Sequence, residues 1–180
     1  MLRRLCDAKL GAFKPLADVD WHWPQQIDRE LFTELLGGEF IHDATNIVLV
    51  GPHGVGKSML AKNLVYQAVI NGASACFVTA SDLLHDLAAQ DSSADLLFEV
   101  VTRRYQRRPI IVTTYRSFAQ WNDIFPNAAC VVSLVDRLVH CCEILPIEAS
   151  SYRLKEAQER AEQHKAARPK RAKKTRDEPA

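Results

Sequence analysis

Residues 46–58 read NIVLVGPHGVGKS and combine an apolar run, a glycine-rich loop and the start of a helix. The run Ile47–Val50 is long enough for one buried strand. The segment after the loop, Met59–Ile70, has helical apolar spacing, and Asn71-Gly72 is a typical helix stop. The sequence therefore predicts a strand, a loop and a helix in direct succession.

The loop between them fits the pattern G-x-x-x-x-G-K-[ST]. Its glycines let successive backbone N–H groups point at a polyphosphate, and the helix N-terminus adds partial positive charge. Lys57 is expected to reach the β- and γ-phosphates, and the Ser58 hydroxyl is expected to hold Mg²⁺. A chance glycine-rich turn is the alternative, which the flanking strand and helix disfavour. The predicted nucleotide-binding residues are Gly51, Pro52, His53, Gly54, Val55, Gly56, Lys57, Ser58 and Met59.

The composition is that of a soluble globular chain, with 47% hydrophobic and 25% charged residues among 180. Apolar runs are too short for a membrane span and no signal-peptide pattern begins the chain, so we predict a cytoplasmic protein. The five cysteines lack C-x-x-C spacing, which fits a reducing compartment. The run His140-Cys141-Cys142 is interpreted as buried packing rather than as a metal site.

The net charge of +1 conceals a basic C-terminal tail. Residues 164–180 carry seven Lys or Arg against two acidic residues. Such a tail predicts an anionic partner, and a solvated tail with no partner is the alternative.

Strands alternate with helices along the rest of the chain, which predicts an α/β fold with a parallel sheet and helices on both faces. Before the first strand we predict a short basic helix within Met1–Gly11, an arm over Phe13–Trp23 that packs on the body or touches a nucleotide base, and a helix over Asp28–Ile41 that breaks at Gly37-Gly38. The later predicted strands are Ala75–Thr79, Pro109–Thr114 and Cys142–Ile147, and the later predicted helices are Asp82–Gln90, Asp91–Arg108, Ser117–Asn122, Ala129–His140 and Ser151–Ala167.

Several sequence blocks together resemble the IstB-like family, the AAA+ ATPase helpers encoded beside the transposase of certain insertion sequences and related to the DnaC helicase loader. The blocks are NIVLVGPHGVGKSMLAKNL, FVTASDLLHDL, ADLLFEVVTRRYQRRPIIVTTYRSFAQWNDIF, LVDRLVH and SYRLKEA, and the resemblance covers Leu10–Ala157. It implies a P-loop NTPase fold of the AAA+ type, a three-layer parallel sheet between helices. It also implies binding of ATP and Mg²⁺, assembly into a homo-oligomer on double-stranded DNA, and delivery of a target site to the transposase.

The resemblance also assigns roles to individual residues. Gly51, Gly54, Gly56, Lys57 and Ser58 match the family's phosphate loop. Two catalytic arginines follow: Arg137, in DRL, matches the arginine finger that reaches a neighbouring subunit's γ-phosphate, and Arg153, in SYRL, matches the second sensor arginine. A guanidinium suits developing phosphoryl charge. The alternative for each is a surface or salt-bridged arginine.

The chain departs from the family where a strand ending in Asp-Glu is expected. The Asp would help hold Mg²⁺ and the Glu would polarise the attacking water. No strand fits around residues 91–93, where the two predicted helices meet, so about twenty residues are expected to be missing relative to the family. The run Val131–Asp136 also ends in an acid, but we interpret it as helix. Mg²⁺ would then be coordinated by Ser58 and by Asp82 or Asp91. The ATPase activity that the family resemblance implies is therefore predicted to be impaired.

Two further departures affect the sheet edge and the N-terminus. Tyr115 occupies the family's polar γ-phosphate-sensing position, for which Thr113 or Thr114 substitutes weakly. The family's N-terminal domain is reduced to about ten residues. Without the acidic strand, either Ala75–Thr79 pairs directly with Pro109–Thr114 or two sheet edges stay open. The predicted division is an N-terminal remnant and arm at 1–23, a P-loop domain at 24–167 and a disordered basic tail at 168–180.

The sequence thus predicts an ATP-binding helper of insertion-sequence transposition that binds double-stranded DNA and a transposase and hydrolyses ATP weakly or not at all. A helicase-loader-like adaptor in replication is the main alternative, because nothing in the sequence separates the two partners. A small P-loop kinase is less favoured, since the arginines cluster at a helix end and in the tail rather than in a lid.

Overall fold

The computed structural model describes residues 1–21, 23, 26–87, 93–123 and 128–167. Its strands are β1 (Gln26–Ile27), β2 (Asn46–Val50), β3 (Ile111–Thr114) and β4 (Cys142–Glu148). Its helices are α1 (Leu2–Asp7), α2 (Arg29–Gly37), α3 (Glu39–His42), α4 (Lys57–Ile70), α5 (Ala80–Leu87), α6 (Ser93–Arg104), α7 (Ala128–Val139) and α8 (Tyr152–Ala167). Short 3-10 helices occupy Leu16–Asp18 and Phe118–Asp123.

The central strand β2 has two parallel neighbours, β3 on one side and β4 on the other. The register places Val48 of β2 beside both Val112 and Ile144. The two-residue strand β1 pairs antiparallel with β4 through Ile27 and Ile147, which gives the order β1-β4-β2-β3. The predicted α/β class with a parallel sheet is confirmed, while the antiparallel edge strand was not predicted.

Both faces of the sheet are covered by helices, as predicted. On one face, α2, α3 and α4 enclose a buried cluster of Phe32, Leu35, Phe40, Ile47, Leu49, Val55, Leu60, Ala61, Leu64, Leu145 and Ile147. On the other face, α6 and α7 enclose Val101, Trp121, Val131, Leu134 and Leu138, against which Val112 packs. Successive residues of a strand face opposite sides, so β2 is buried on both, and each fully buried Leu or Ile contributes about 1.5–3 kcal/mol.

The segment before β2 is fixed by caps and by packing. Asp28 accepts a hydrogen bond from the backbone N–H of Leu31 at 2.9 Å and thereby caps α2. Gly38, with φ of 89°, ends α2 and precedes α3, which confirms the predicted break. Further upstream, Ala8 and Leu10 are buried against α4.

The prediction of a strand over Ala75–Thr79 is wrong. These residues carry no strand, and the direct pairing with Pro109–Thr114 is not formed. Instead, Phe77 donates its backbone N–H to Ala8 O at 2.8 Å and packs with residues of α1 and α4. The physical reason is the competing contact, because the backbone and ring of Phe77 are engaged by Ala8 and by residues of α1 and α4, so the segment lies against these helices and not at an edge of the sheet. In the described part of the chain, β3 is paired only with β2.

Two predicted helices have different ends. The helix predicted over Asp91–Arg108 stops at Arg104, because the backbone turns at Gln106, with φ of 53°, shortly before Pro109. The helix predicted from Asp82 begins at Ala80. Residues 88–92, where both predicted helices approach each other, lie outside the described residues.

The remaining elements agree with the sequence. Thr79 accepts a hydrogen bond from the backbone N–H of Asp82 at 3.1 Å and thereby caps α5. The run Val131–Asp136 lies in α7, which confirms its interpretation as helix. The tail at 168–180 lies outside the described residues. None of the helices in the described ranges is long and apolar enough to span a membrane.

Candidate functional site

The loop between β2 and α4 requires glycine at three positions for separate reasons. A Cβ on Gly51 would lie 2.2 Å from the carbonyl oxygen of Ile147, so β4 leaves no room for a side chain. A Cβ on Gly54 would lie 2.3 Å from Ser151 Oγ, and its φ is 79°. Gly56 has φ of 101° at the N-cap of α4. The predicted loop is therefore built by close packing as well as by backbone conformation.

The Lys57 side chain turns back over this loop. Its Nζ donates to the carbonyl oxygens of Gly51 at 2.8 Å and Pro52 at 2.5 Å. Partial burial lowers the pKa of Lys57, and the positive charge of Arg153 lowers it further. An ammonium group in this setting lies close to neutral oxygen acceptors and to a second cation, an arrangement that favours an incoming anion.

The rest of the loop either anchors the site or faces solvent. Val55 is buried, whereas Pro52 and His53 are exposed. Ser58, in the first turn of α4, is exposed, so its hydroxyl is accessible to a cation. Met59 is half-buried and packs against the core.

Two carboxylates, Asp82 and Asp91, are predicted to help Ser58 hold Mg²⁺. The Asp82 carboxylate accepts a hydrogen bond from Thr79 Oγ1 at 2.6 Å, so it is engaged at the start of its own helix. Asp91 lies outside the described residues. Where the structure describes side chains, no group of three or more His, Cys, Asp or Glu is arranged to hold a metal ion.

The sequence did not predict a contact between His53 and Tyr115. Their ring centroids are 4.0 Å apart with an interplanar angle of 36°. Tyr115 follows β3, and its hydroxyl accepts a hydrogen bond from Arg116 Nε at 3.1 Å. The available signal was the parallel pairing of β2 and β3, whose carboxyl ends meet at one edge of the sheet. Tyr115 thus covers part of the loop with an aromatic ring.

Arg153 is close to the loop. It lies in the first turn of α8, it is exposed, and its charge acts on Lys57. The start of α8 is attached to the loop because Tyr152 donates its backbone N–H to Gly54 O at 3.0 Å. The fold therefore brings together the phosphate loop and one of the two predicted arginines.

Arg137 is held elsewhere, on the surface between α7 and α6. Its guanidinium donates to Thr102 Oγ1 and lies over the Phe98 ring, 4.6 Å from the centroid. The Tyr105 ring centroid is 6.0 Å away. These contacts orient the side chain against α6 of its own chain, so the geometry does not itself place Arg137 at a phosphate.

Comparison with protein families gives one matching family, described as IstB-like ATP-binding protein, over residues 1–93 and 88–160. A relative from Pseudomonas aeruginosa, named as the proposed ATP-binding protein of insertion sequence IS21, is 32% identical over 186 residues, covering 87% of this chain and 70% of the relative. A relative from Geobacillus stearothermophilus, the proposed ATP-binding protein of insertion sequence IS5376, is 30% identical over 188 residues, covering 88% of this chain and 75% of the relative.

These matches also bear on the predicted loss of the acidic strand. The alignment of 188 residues is longer than the chain of 180, so the Geobacillus relative has residues that this chain lacks. The family match is divided into two segments that meet at residues 88–93. That is where the sequence predicts the acidic strand to be missing.

Solved structures are similar in fold. The crystal structure of DnaI superimposes with a TM-score of 0.60 at 16% identity, covering 77% of this chain and 92% of that one. A proposed primosome component from Streptococcus pyogenes serotype M3 gives a TM-score of 0.57 at 18% identity, covering 76% and 87%. At these identities the likeness concerns the P-loop fold alone. The family match over most of the chain, together with the insertion-sequence relatives, shows that the chain belongs to the IstB-like ATP-binding protein family.

Proposed function

We propose that the chain binds the triphosphate of ATP on residues 51–59 and serves as an ATP-binding helper of insertion-sequence transposition. The observation that supports this most is the phosphate loop, where Lys57 Nζ lies on two loop carbonyls and Arg153 is near enough to act on it. The names of the relatives, ATP-binding proteins of insertion sequences, support the biological role.

Binding would exchange the acceptors of Lys57. Phosphate oxygens would replace the carbonyls of Gly51 and Pro52, and a charge-assisted hydrogen bond to phosphate is stronger than one to a neutral carbonyl. The backbone N–H groups of the loop and the N-terminus of α4 would bind the remaining phosphate oxygens. The anion would also relieve the repulsion between Lys57 and Arg153.

Ser58 would hold Mg²⁺ together with the phosphates. Its exposed hydroxyl in the first turn of α4 fits this role, because Mg²⁺ accepts oxygen ligands and keeps several waters. When bound, Mg²⁺ neutralises phosphate charge. The chain's contribution there is one hydroxyl oxygen and the orientation of the nucleotide by the loop.

Hydrolysis would be slow, because a positioned carboxylate that polarises the attacking water contributes about 10²–10⁴-fold to such reactions. The sequence lacks the Asp-Glu strand that supplies it in the family.

In a homo-oligomer, Arg137 would extend from its half-exposed place beside Phe98 toward a neighbour's nucleotide. The basic tail would contact double-stranded DNA, and the transposase would be the protein partner.

The proposal is tested by thermal unfolding of the purified chain with and without Mg·ATP. A ligand at 100 times its dissociation constant stabilises by about 2.7 kcal/mol, which corresponds to about 5–10 °C for this size. We expect this shift in the wild type and its loss in Lys57→Ala. Lys62→Ala, on the same helix but with its Nζ over the Phe77 ring, is the matched control and should keep the shift. A wild-type chain that unfolds cooperatively but shows no shift would disprove the proposal.

A further inference from the structure

The position of Arg153 depends on how the first turn of α8 is held. Seven consecutive residues of this helix, 157–163, are exposed, and Leu154 in its first turn is 58% exposed. No buried core residue belongs to α8 in the described part of the chain. The helix therefore has no apolar core contact that would fix its direction, and polar and aromatic contacts at its start must do so.

One set of contacts joins α8 to the phosphate loop. Tyr152 donates its backbone N–H to Gly54 O, and Ser151 packs on the Cα of Gly54. These contacts lie at the very beginning of the helix. They fix where α8 begins, whereas its direction needs a second support further along the first turn.

The second support comes from the N-terminal arm. Lys155 Nζ forms an ion pair with Asp20 Oδ2 at 3.2 Å and lies over the Trp23 ring, 5.3 Å from its centroid. The rings of Trp23 and Tyr152 are 6.3 Å apart, and Lys14 Nζ is 3.5 Å from the Tyr152 hydroxyl. Two residues of the first turn of α8, on either side of Arg153, are thus held by the arm.

The arm is itself attached to the body of the domain. Asn63 of α4 donates to Lys14 O at 3.0 Å. Trp21 packs on Phe32 of α2 with ring centroids 5.9 Å apart, and the Arg29 guanidinium lies 5.7 Å from the Trp21 ring centroid. A continuous path of contacts therefore runs from α2 and α4 through the arm to α8.

We propose that Asp20, Trp23 and Lys155 are positioning residues, a clamp that holds the first turn of α8, and with it Arg153, beside the phosphate loop. The inference rests on the proposed ATP binding at that loop and adds a role for the arm. In this clamp the Lys155 ammonium group lies between the Asp20 carboxylate and the rings of Trp23 and Tyr152. Loss of the clamp lets α8 reorient, and the site then loses the charge of Arg153 without any change in the loop.

The first test measures the clamp without nucleotide. In Trp23→Ala, hydrogen exchange at the amides of residues 154 and 155 should become faster than in the wild type. Trp23→Phe should keep the wild-type rate, because the ring remains and the buried Trp23 Nε1 finds no acceptor among the described residues. Equal exchange rates in all three chains would overturn the clamp.

The second test measures dissociation constants for ATP and ADP. Asp20→Asn should weaken ATP binding by up to about 5-fold, the range of an exposed ion pair, and Trp23→Ala by a similar factor. ADP binding should weaken less, because it carries less phosphate charge. Glu159→Gln is the matched control: it removes the other carboxylate near Lys155, at 4.0 Å, without touching the arm.

The decisive comparison combines these changes with Arg153→Gln. If the clamp acts through Arg153, Asp20→Asn should have no further effect on ATP affinity in the Arg153→Gln background. The charge-exchanged pair Asp20→Lys with Lys155→Asp should recover most of the affinity that either change loses. Full additivity with Arg153→Gln would overturn the inference. A wild-type chain without ATP affinity would instead contradict the proposed function. The hydrogen-exchange rates of residues 154 and 155, which are measured without nucleotide, would still decide whether the clamp exists.

Discussion

The His53 ring packs against the Tyr115 ring in a tilted arrangement, with centroids 4.0 Å apart, and so joins the phosphate loop to the end of β3. In parallel strands that lie side by side, both residues occupy the carboxyl edge, where ligands bind in open α/β sheets. The contact involves the residue at which the family resemblance predicts a polar sensor of the γ-phosphate. It is a feature of this chain that the loop pattern alone does not reveal.

This ring contact should be measurable as a coupling energy. We expect His53→Ala and Tyr115→Ala each to lower the free energy of unfolding slightly, and the double variant to lose less than their sum by about 0.5–1 kcal/mol. Urea unfolding of the four chains measures the coupling. Because His53 and Tyr115 are both exposed, the coupling belongs at the lower end of the aromatic range. Additive losses would show that the rings do not interact in solution.

Asn46 should matter more to stability than its polar side chain suggests. It is buried at 8% exposure, donates through Nδ2 to Leu138 O at 3.0 Å and accepts through Oδ1 from Ile110 N at 2.9 Å. Asn46→Ala would remove the partner of the buried Leu138 carbonyl and of the half-buried Ile110 N–H, at a cost of about 2–4 kcal/mol. Urea unfolding of the wild type and of Asn46→Ala measures this loss of stability, provided that both chains have the same m-value.

Asn71→Ala is the control for this change. Asn71 is exposed, and its side chain makes two exposed hydrogen bonds, accepting from Gln67 Nε2 at 3.1 Å and donating to Gly37 O at 3.4 Å. Because water can replace both partners, the loss of the side chain should cost less than about 0.5 kcal/mol. Similar losses in the two variants would contradict the importance given to the buried hydrogen bonds of Asn46.

The parts of the fold that the sequence predicts well are local. The strand, loop and helix around residues 46–70 depend on neighbouring residues, as does the break at Gly38. Ala75–Thr79 has a strand-like composition, but a strand exists only where another strand accepts it, and that depends on residues far away in the sequence. The strand β1 consists of two residues, too few for any pattern to identify.

The site shows the same division. The sequence predicts the glycines and Lys57, because their spacing is fixed by the loop itself. Contacts such as His53 with Tyr115 and Lys155 with Asp20 join residues that are 62 and 135 positions apart, respectively, and only the fold brings them together. The arm was predicted to pack on the body or touch a base, and its contacts with α8 were not foreseen.

Cys142 should make the domain sensitive to alkaline pH. Burial, with a smaller effect of the Glu143 charge, raises the pKa of its thiol from 9.0 to about 11. The folded state then favours the protonated thiol. The contribution of this thiol to the free energy of unfolding is therefore fully present below about pH 9 and is lost as the pH rises toward 11. Because Cys142 is only half-buried, we expect a loss of about 1 kcal/mol.

Unfolding by urea at pH 8 and pH 10.5 measures this loss, and Cys142→Ala should remove it. Cys141→Ala is the control, since Cys141 is exposed, contrary to the predicted packing of both cysteines. The same pH dependence in wild type and Cys142→Ala would assign the loss to other groups.

The basic tail should determine the salt dependence of DNA binding. A chain that neutralises several phosphates loses affinity with a slope of about −0.9 per phosphate on a log–log plot against salt. Replacing all seven Lys and Arg of residues 164–180 by Gln keeps the length and should flatten that slope. Fluorescence anisotropy with a labelled duplex measures it. An unchanged slope and affinity would show that the tail does not contact DNA.

Restoring the acidic strand should restore hydrolysis. A designed Asp-Glu strand with flanking loops, inserted after Gln90, would have the free edge of β3 available, since the described residues pair β3 only with β2. Its carboxyl end would then lie at the same edge as Lys57 and Thr114, because parallel strands end together. A catalytic carboxylate placed there should raise phosphate release by about 10²–10⁴-fold. The control insertion carries Asn-Gln in place of Asp-Glu and should bind ATP without faster release. If both insertions fold and bind ATP yet release phosphate at the same rate, the missing carboxylates do not limit hydrolysis, and the ring of Tyr115 at the loop becomes the next residue to replace.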